Sequence, residues 1–230
     1  MVVDKLLGLL RIEAVNRIVF RIRFIYFVYL RRRIRVAADR QGVIRPEYSI
    51  DMLKRGVTSD RPLTLIRPLS IIDGIDKASA RVLSVGCRFE TELLYLLGYG
   101  FRKVRGLDLI AYSPWVDVGN MHDMQYSDDA WDIVILGWVL SYSETPERAV
   151  KEIVRVTRPR GIVAVAVSYY PGFRLEEAEA AGTLVGTKDR VQTVEGILRL
   201  FGGHVDRVYF SHEAPQDMES YCAAIFSIRK

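Results

Sequence analysis

Short segments with the character of strands alternate with amphipathic segments along the last two thirds of the chain. The predicted strands fall at 81–85, 103–107, 131–139 and 162–167, and the continuous apolar run at 131–139 is typical of a strand buried on both faces of a parallel sheet. Between and after them, segments 90–97, 146–157 and 193–201 have the spacing of helices that cover such a sheet. The pattern therefore predicts an α/β fold.

The first predicted strand ends at a glycine turn and the second ends at a carboxylate. The passages read Arg81-Val-Leu-Ser-Val-Gly86-Cys-Arg-Phe-Glu90 and Val104-Arg-Gly-Leu-Asp108. Because the carboxyl ends of parallel strands meet at one edge, the backbone N–H groups of the turn and the Asp108 carboxylate would face the same ligand. A carboxylate in this place can accept hydrogen bonds from the two hydroxyls of a ribose. Arg88 and Glu90 stand where a dinucleotide fingerprint needs further glycines, which argues against a bound pyrophosphate. The sequence points to a nucleoside cofactor of another kind.

These passages resemble the first motifs of class I S-adenosylmethionine-dependent methyltransferases. Two later passages resemble the family in the same order, namely 116–135 with its third and fourth strands and 140–161 with its helix, Arg-Val, Pro and Gly. The resemblance runs from about Arg81 to the C-terminus. It implies a doubly wound, Rossmann-like, seven-stranded and mostly parallel sheet with an antiparallel last strand, closed by 204–210 and 221–228.

The resemblance implies S-adenosyl-L-methionine as the cofactor and assigns residues to its site. Those residues are Gly86, Cys87 and Arg88 in the turn, Asp108 for the ribose hydroxyls, and Asn120, Met121 and Asp123 near the adenine. Each has a structural alternative. Gly86 can be an ordinary strand-to-helix glycine, Asp108 a cap, and Cys87 a small residue of a crowded turn. Arg88 can bind the methionine carboxylate or pair with Glu90.

Methyl transfer from a sulfonium requires an in-line nucleophile and, for a hydroxyl or amine acceptor, removal of a proton. The candidates for that proton are His122, Glu144 and Tyr142, the last of which stands where the family often has His. The Asn/Asp-Pro-Pro-aromatic run of enzymes that methylate base amines is absent, since the chain reads Leu136-Gly-Trp-Val there. We therefore expect transfer to a hydroxyl of a small molecule, a glycan or a cell-envelope precursor.

Two other functions stay open. A degenerate methyltransferase fold that serves as a binding or scaffold module is favoured by Arg88 in the turn. It is also favoured by the short link from Asp108 to Asn120, which has no room for a full helix and contains Pro114. An RNA-directed methyltransferase is favoured by the arginine-rich N-terminal segment, because cations bind phosphates.

The N-terminal third has a different pattern and a different charge. Residues 1–80 contain 16 Lys and Arg against 8 Asp and Glu, whereas residues 81–230 contain 17 against 20. We predict a basic amphipathic helical extension at 1–40, helical over 4–35, and a loop-rich connector or lid at 41–80 with a short helix near 49–54. The methyltransferase domain follows at 81–230. Arg23 breaks the helical pattern of the extension.

The extension has three candidate partners. Its longest uncharged run, 24–30, is far shorter than the ~20 residues that span a bilayer, and a signal peptide is disfavoured by the charges within it. It can pack on the core or on a second copy, lie on an anionic membrane, or contact nucleic acid, which we favour least. Cys87 and Cys222 show no metal-binding or disulfide spacing, so we expect no metal and a cytoplasmic setting. Peripheral membrane contact stays an alternative that depends on the N-terminal helix.

Overall fold

The computed structural model describes residues 2–41, 43, 53, 60–172 and 191–230, in which strands and helices alternate. The helices are α1 (Val2–Gly8), α2 (Glu13–Phe24), α3 (Leu63–Ser70), α4 (Thr91–Gly98), α5 (Pro146–Val156) and α6 (Val194–Phe201). Three 3-10 turns (Leu9–Arg11, Leu140–Tyr142, Gly202–His204) and a π-helical turn that continues α2 (Ile25–Leu30) join them. The strands are β1 (Arg35–Val36), β2 (Arg81–Val85), β3 (Lys103–Asp108), β4 (Ile110–Ala111), β5 (Val116–Val118), β6 (Trp131–Gly137), β7 (Thr157–Tyr169), β8 (Val205–His212) and β9 (Ser220–Ile228). The predicted helix near 49–54, apart from Leu53, and much of the predicted connector lie outside the described residues.

Seven strands form one sheet in the order β5-β3-β2-β6-β7-β9-β8. The first five run parallel, whereas β9 lies antiparallel between β7 and β8. The predicted seven-stranded, mostly parallel sheet with an antiparallel last strand is therefore confirmed. At the end of β2, Val85 pairs with Leu107 of β3 on one side and with Leu136 of β6 on the other, so these three strands end at the same edge. This carboxyl edge holds the turn after β2.

The central strands of the sheet are buried on both faces, as the continuous apolar run at 131–139 predicts. Side chains alternate along a strand, so neighbouring residues enter opposite layers. Leu83 packs in a cluster with residues of α5 and α6, whereas its neighbour Val82 packs in a second cluster with residues of α3 and α4. The sheet therefore lies between two layers of helices, one on each face.

The link from β3 to β5 contains no helix, and the N-terminal extension fills the place beside it. Strand β4 within this link pairs antiparallel with β1 of the extension. Phe20 and Phe24 of α2 pack against Phe89, and the Phe24 ring also meets Tyr112 of the link at a centroid distance of 5.2 Å. The short link, which counted in favour of a degenerate fold, is thus covered by the chain's own first residues.

The extension is helical but not one continuous helix. Ile12 has an extended backbone between the 3-10 turn and α2. The buried Asn16 amide donates to the Leu10 carbonyl across this break and to the Thr91 carbonyl of α4. The prediction of one helix over 4–35 is therefore wrong, because the chain breaks at Ile12 and so meets α4.

Strand β7 is longer than predicted. It begins at Thr157 rather than at 162, because a bulge lets Thr157 pair with Trp131 of β6.

Arg23, which breaks the helical pattern, binds a carboxylate within the turn after β2. Its guanidinium makes two hydrogen bonds of 2.8 Å with the Glu90 carboxylate, which has no exposed surface, and it stacks 3.7 Å from the centre of the Trp115 ring. Ser113 Oγ donates to the same carboxylate, and the Glu90 N–H donates to the Tyr112 hydroxyl. A fork-shaped guanidinium suits such two-point binding of a carboxylate. The extension and the turn are thus joined by a buried ion pair.

We expect Arg23→Met to lower the free energy of unfolding by about 3 kcal/mol, because it leaves a buried carboxylate without its cation. Urea denaturation measures the change. Arg17→Met is the matched control, since Arg17 pairs with Glu13 on the exposed side of the same helix and an exposed pair contributes about 0.5 kcal/mol or less. In Arg23→Met/Glu90→Gln the buried charge is gone, so part of the stability should return. Equal losses for the two single variants would contradict the role of this pair.

Candidate active site

Gly86 begins the turn after β2 and cannot carry a side chain there. Its φ of +74° lies in the left-handed region that favours glycine, and a Cβ atom would overlap the side chain of Val139. Its N–H donates to the Leu107 carbonyl at the end of β3. The requirement for glycine therefore comes from the backbone and from the loop after β6, which lies directly against the turn.

Asp108 lies at the carboxyl edge beside this turn, as the sequence predicts. Its Oδ2 accepts a 2.8 Å hydrogen bond from the backbone N–H of Arg88, which has a φ of +44°, and its Oδ1 accepts one of 3.1 Å from the Ile110 N–H. Burial raises the pKa of this carboxyl, whereas the backbone hydrogen bonds and the Arg88 guanidinium lower it. A carboxylate has about four acceptor positions, so it keeps capacity for hydroxyl groups of a ligand.

The Cys87 side chain lies within the core. Its sulfur sits against Gly106 of β3, in the cluster that also contains Val116. Burial and the nearby carboxylates of Asp108 and Glu92 raise the pKa of the thiol well above its ordinary value. The thiol is therefore protonated, which argues against a nucleophilic role for Cys87.

Asn120 and His122 form a hydrogen-bonded group after β5. The Asn120 amide donates to the Gln41 carbonyl, and its Oδ1 accepts from the backbone N–H of His122 and lies 2.8 Å from His122 Nδ1. His122 Nε2 lies 2.7 Å from the Ser143 hydroxyl. Because an amide oxygen only accepts, Nδ1 carries the proton and Nε2 accepts from Ser143. Met121 is buried in the core and Asp123 is exposed, so this turn sends neighbouring side chains in different directions.

The three candidate bases lie around one loop. Burial, reinforced by the Arg148 guanidinium, lowers the pKa of His122, so its ring is neutral at pH 7, and the ring's contact with Ser143 brings it to the loop after β6. On that loop Tyr142 is half-buried and Glu144 is exposed. The structure thus brings the three residues to one region, and a base among them stays a prediction.

Glu92 is a buried carboxyl that the sequence analysis did not single out. It lies in the first turn of α4 and is 6% exposed, and its Oε1 accepts a 2.6 Å hydrogen bond from Ser84 Oγ of β2. Its Oε2 faces Gly137 at the end of β6. Burial raises the pKa of Glu92 to about 7. The sequence signal that could have identified Glu92 is its place at the start of a helical segment that is otherwise apolar over 93–97.

A cavity of about 620 Å³ lies at the ends of β6 and β7. Trp138, with a left-handed φ of +63°, lines it next to Tyr221 and under the Arg61 guanidinium, which is 5.6 Å from the ring centre. Arg67, Tyr169 and Tyr170 also line it. A non-glycine residue in this conformation is strained and is found mostly where function requires it. The cavity was not predicted, because its walls come from four distant segments.

The described part of the chain holds no group of three or more His, Cys, Asp and Glu residues arranged to bind a metal ion. The described residues at this edge offer carboxylates, an imidazole, hydroxyls and arginines. Two carboxyls, Asp108 and Glu92, lie on opposite sides of the Gly86 turn, since one ends β3 and the other reaches towards β6. Such an arrangement suits a ligand that carries hydroxyl groups at one end and a positive charge at the other.

Comparisons with known proteins agree with this geometry. Residues 83–165 match a family model described as a methyltransferase domain. No curated protein sequence matches the chain. Similar solved structures include a putative S-adenosylmethionine-dependent methyltransferase from Listeria monocytogenes, with 15% identity over 75% of this chain and 100% of that one and a TM-score of 0.54.

Two further solved structures have a similar fold. A putative sarcosine dimethylglycine methyltransferase from Galdieria sulphuraria is 11% identical over 79% of this chain and 84% of that chain, with a TM-score of 0.51. The [4+2]-cyclase SpnF is 16% identical over 74% of this chain and 80% of that one, with a TM-score of 0.55. At such identities the similarity concerns the fold alone, and one fold can host several chemistries. The matched segment and the sheet order together show that this chain has the fold of class I, S-adenosylmethionine-dependent methyltransferases and that residues 83–165 are similar to a methyltransferase domain.

Proposed function

We propose that this protein transfers a methyl group from S-adenosyl-L-methionine to a hydroxyl group of a small molecule, a glycan or a cell-envelope precursor. The observation that carries the proposal is the meeting of the Gly86 turn and the buried Asp108 carboxylate at the carboxyl edge of the sheet. In a sheet of this topology that edge is where ligands bind.

The residues present fit the cofactor. Asp108 would accept hydrogen bonds from the ribose hydroxyls, and the backbone hydrogen bonds that hold its carboxylate fix its direction. On the other side of the turn, Glu92 would hold the ammonium group of the methionine part, because a buried carboxylate binds a cation strongly. The bound cofactor supplies an activated methyl group. Protein residues would then need only to orient the acceptor and take up its proton.

The acceptor would bind in the cavity beside Trp138. Aromatic rings offer flat apolar surfaces, and the arginines offer hydrogen-bond donors that suit hydroxyl, carboxylate or phosphate groups. A polar molecule with a ring, such as a sugar, matches these walls. His122, Tyr142 and Glu144 remain the candidates for accepting the proton of the hydroxyl group.

One observation favours a binding or scaffold module instead. Arg88 and Glu90 replace turn glycines, and Glu90 serves the N-terminal extension through its ion pair with Arg23. In that interpretation the turn serves to hold the N-terminal extension and does not bind a cofactor. Titration calorimetry with S-adenosyl-L-methionine distinguishes the two, since a scaffold that has lost the cofactor gives no heat of binding.

We expect Asp108→Asn to weaken binding of S-adenosyl-L-methionine by roughly tenfold to a hundredfold, because the loss of a charged acceptor in a buried site costs about 1.5–3 kcal/mol. Titration calorimetry measures the affinity. The control is Asp132→Asn, since Asp132 also accepts from a backbone N–H, that of Arg81, but at the amino end of the strands. Equal effects of the two substitutions would contradict a cofactor site at Asp108.

We expect the affinity for S-adenosyl-L-methionine to rise as the pH increases through about 7, because Glu92 must lose its proton to attract a cation and its pKa is raised to about 7. Glu92→Gln keeps an acceptor for the Ser84 hydroxyl and removes the titration. Its affinity should be lower above pH 7 and nearly independent of pH. A pH dependence that survives in Glu92→Gln would contradict the assignment.

Transfer of a labelled methyl group to fractionated cell extracts tests the activity itself. We expect Trp138→Ala to reduce transfer by about tenfold or more through loss of acceptor contacts, with the cofactor affinity unchanged. Tyr209→Ala is the control, since Tyr209 is a partly exposed aromatic residue of β8 that does not line the cavity. Loss of cofactor affinity in Trp138→Ala would place this ring in the cofactor site instead.

A further inference from the structure

The α2 helix and the π-helical turn after it have two apolar faces. One face, with Phe20 and Phe24, packs on the methyltransferase domain. The opposite face presents Ile18, Ile22 and Ile25 to solvent, and the series continues at Tyr29. Ile18, Ile22 and Ile25 recur every three or four positions, which places them on one side of a helix. Tyr29 follows in the π-helical turn, where its exposed ring also meets the edge of Phe24. We call Ile18, Ile22, Ile25 and Tyr29 the outer face.

The outer face is strongly exposed. Ile22 and Tyr29 each keep 63% of their accessible surface and Ile18 keeps 59%. The exposed apolar surface extends over the preceding turns and the following one through Val3, Leu6, Leu9, Ile12, Tyr26, Leu30 and Ile34. Single exposed apolar residues are ordinary on a protein surface, but a continuous series marks a binding surface.

Cations border this surface. Arg17 and Arg21 flank the isoleucines along α2, and a cluster of exposed arginines follows the helix at Arg31, Arg32 and Arg33. Glu13 is the acidic residue near the isoleucines among the described positions, and it already pairs with Arg17. The occupant must therefore bring apolar groups and negative charge together.

A second copy of the chain does not meet this requirement. In a twofold contact the same patch lies on both copies, so a surface bordered by arginines would face another surface of the same net positive charge. An anionic lipid layer supplies acyl chains for the isoleucines and phosphates for the arginines, and tyrosine suits the boundary between the two. No helix among the described residues is long and apolar enough to cross a bilayer, so the contact would be parallel to the membrane surface.

We propose that the outer face, with its bordering arginines, docks the protein on an anionic lipid surface. Because the opposite face of the same helix binds Glu90 through Arg23, the docked helix would lie directly above the turn of the cofactor site. The proposal does not depend on methyl transfer, since it concerns the extension alone.

Sedimentation with sucrose-loaded vesicles tests the proposal on the full chain. We expect binding to vesicles made of equal parts phosphatidylglycerol and phosphatidylcholine, and little binding to phosphatidylcholine alone. Ile18→Gln/Ile22→Gln should reduce the affinity by about tenfold or more, because two buried apolar side chains are lost. Arg31→Gln/Arg33→Gln should reduce the affinity for anionic vesicles by about fivefold or more for each arginine. The remaining binding should depend less on salt.

The matched control is Ile71→Gln/Met218→Gln, which changes two exposed apolar residues elsewhere on the surface and should leave vesicle binding unchanged. Thermal unfolding and calorimetry with S-adenosyl-L-methionine, performed on each variant, separate a docking defect from loss of fold or of cofactor binding. Equal binding to neutral and anionic vesicles, or binding that survives Ile18→Gln/Ile22→Gln, would overturn the proposal. A dimer dispersed by that double variant, or binding of single-stranded RNA in place of vesicles, would also overturn it.

Discussion

The ion pair between Arg23 and Glu90 connects the N-terminal extension to the turn on which the candidate site depends. Glu90 is fully buried, and its carboxylate binds the partly buried guanidinium of Arg23 and the Ser113 hydroxyl. Burying a carboxylate is costly unless a cation and hydrogen bonds compensate it. The extension therefore stabilises the turn after β2, because it supplies the cation that compensates the buried carboxylate.

This ion pair also bears on the features in which the chain differs from related patterns. Glu90, which stands where a dinucleotide fingerprint has a glycine, anchors the extension, and β1 and the phenylalanines of α2 occupy the space beside the short link after Asp108. The short link, which favoured a degenerate fold, is thus covered by a segment from the N-terminus.

The edge that results presents two carboxyls with different surroundings. Asp108 is held by backbone N–H groups, whereas Glu92 has one hydroxyl partner and a pKa raised to about 7 by burial. The cavity beside Trp138 continues the same edge towards β7. On the far side, the extension carries a second apolar face bordered by arginines. One helix thereby links the candidate catalytic edge to a surface suited to lipid.

The sequence by itself determined the main strands of the seven-stranded sheet, the sheet class and the positions of Gly86 and Asp108, because these depend on local periodicity and on what a strand end requires. Tertiary structure decided the rest. The partner of Arg23, the burial of Glu92 and the walls of the Trp138 cavity each bring together residues distant along the chain. The cost of burying a charge or a ring depends on those distant neighbours, so no local pattern records it.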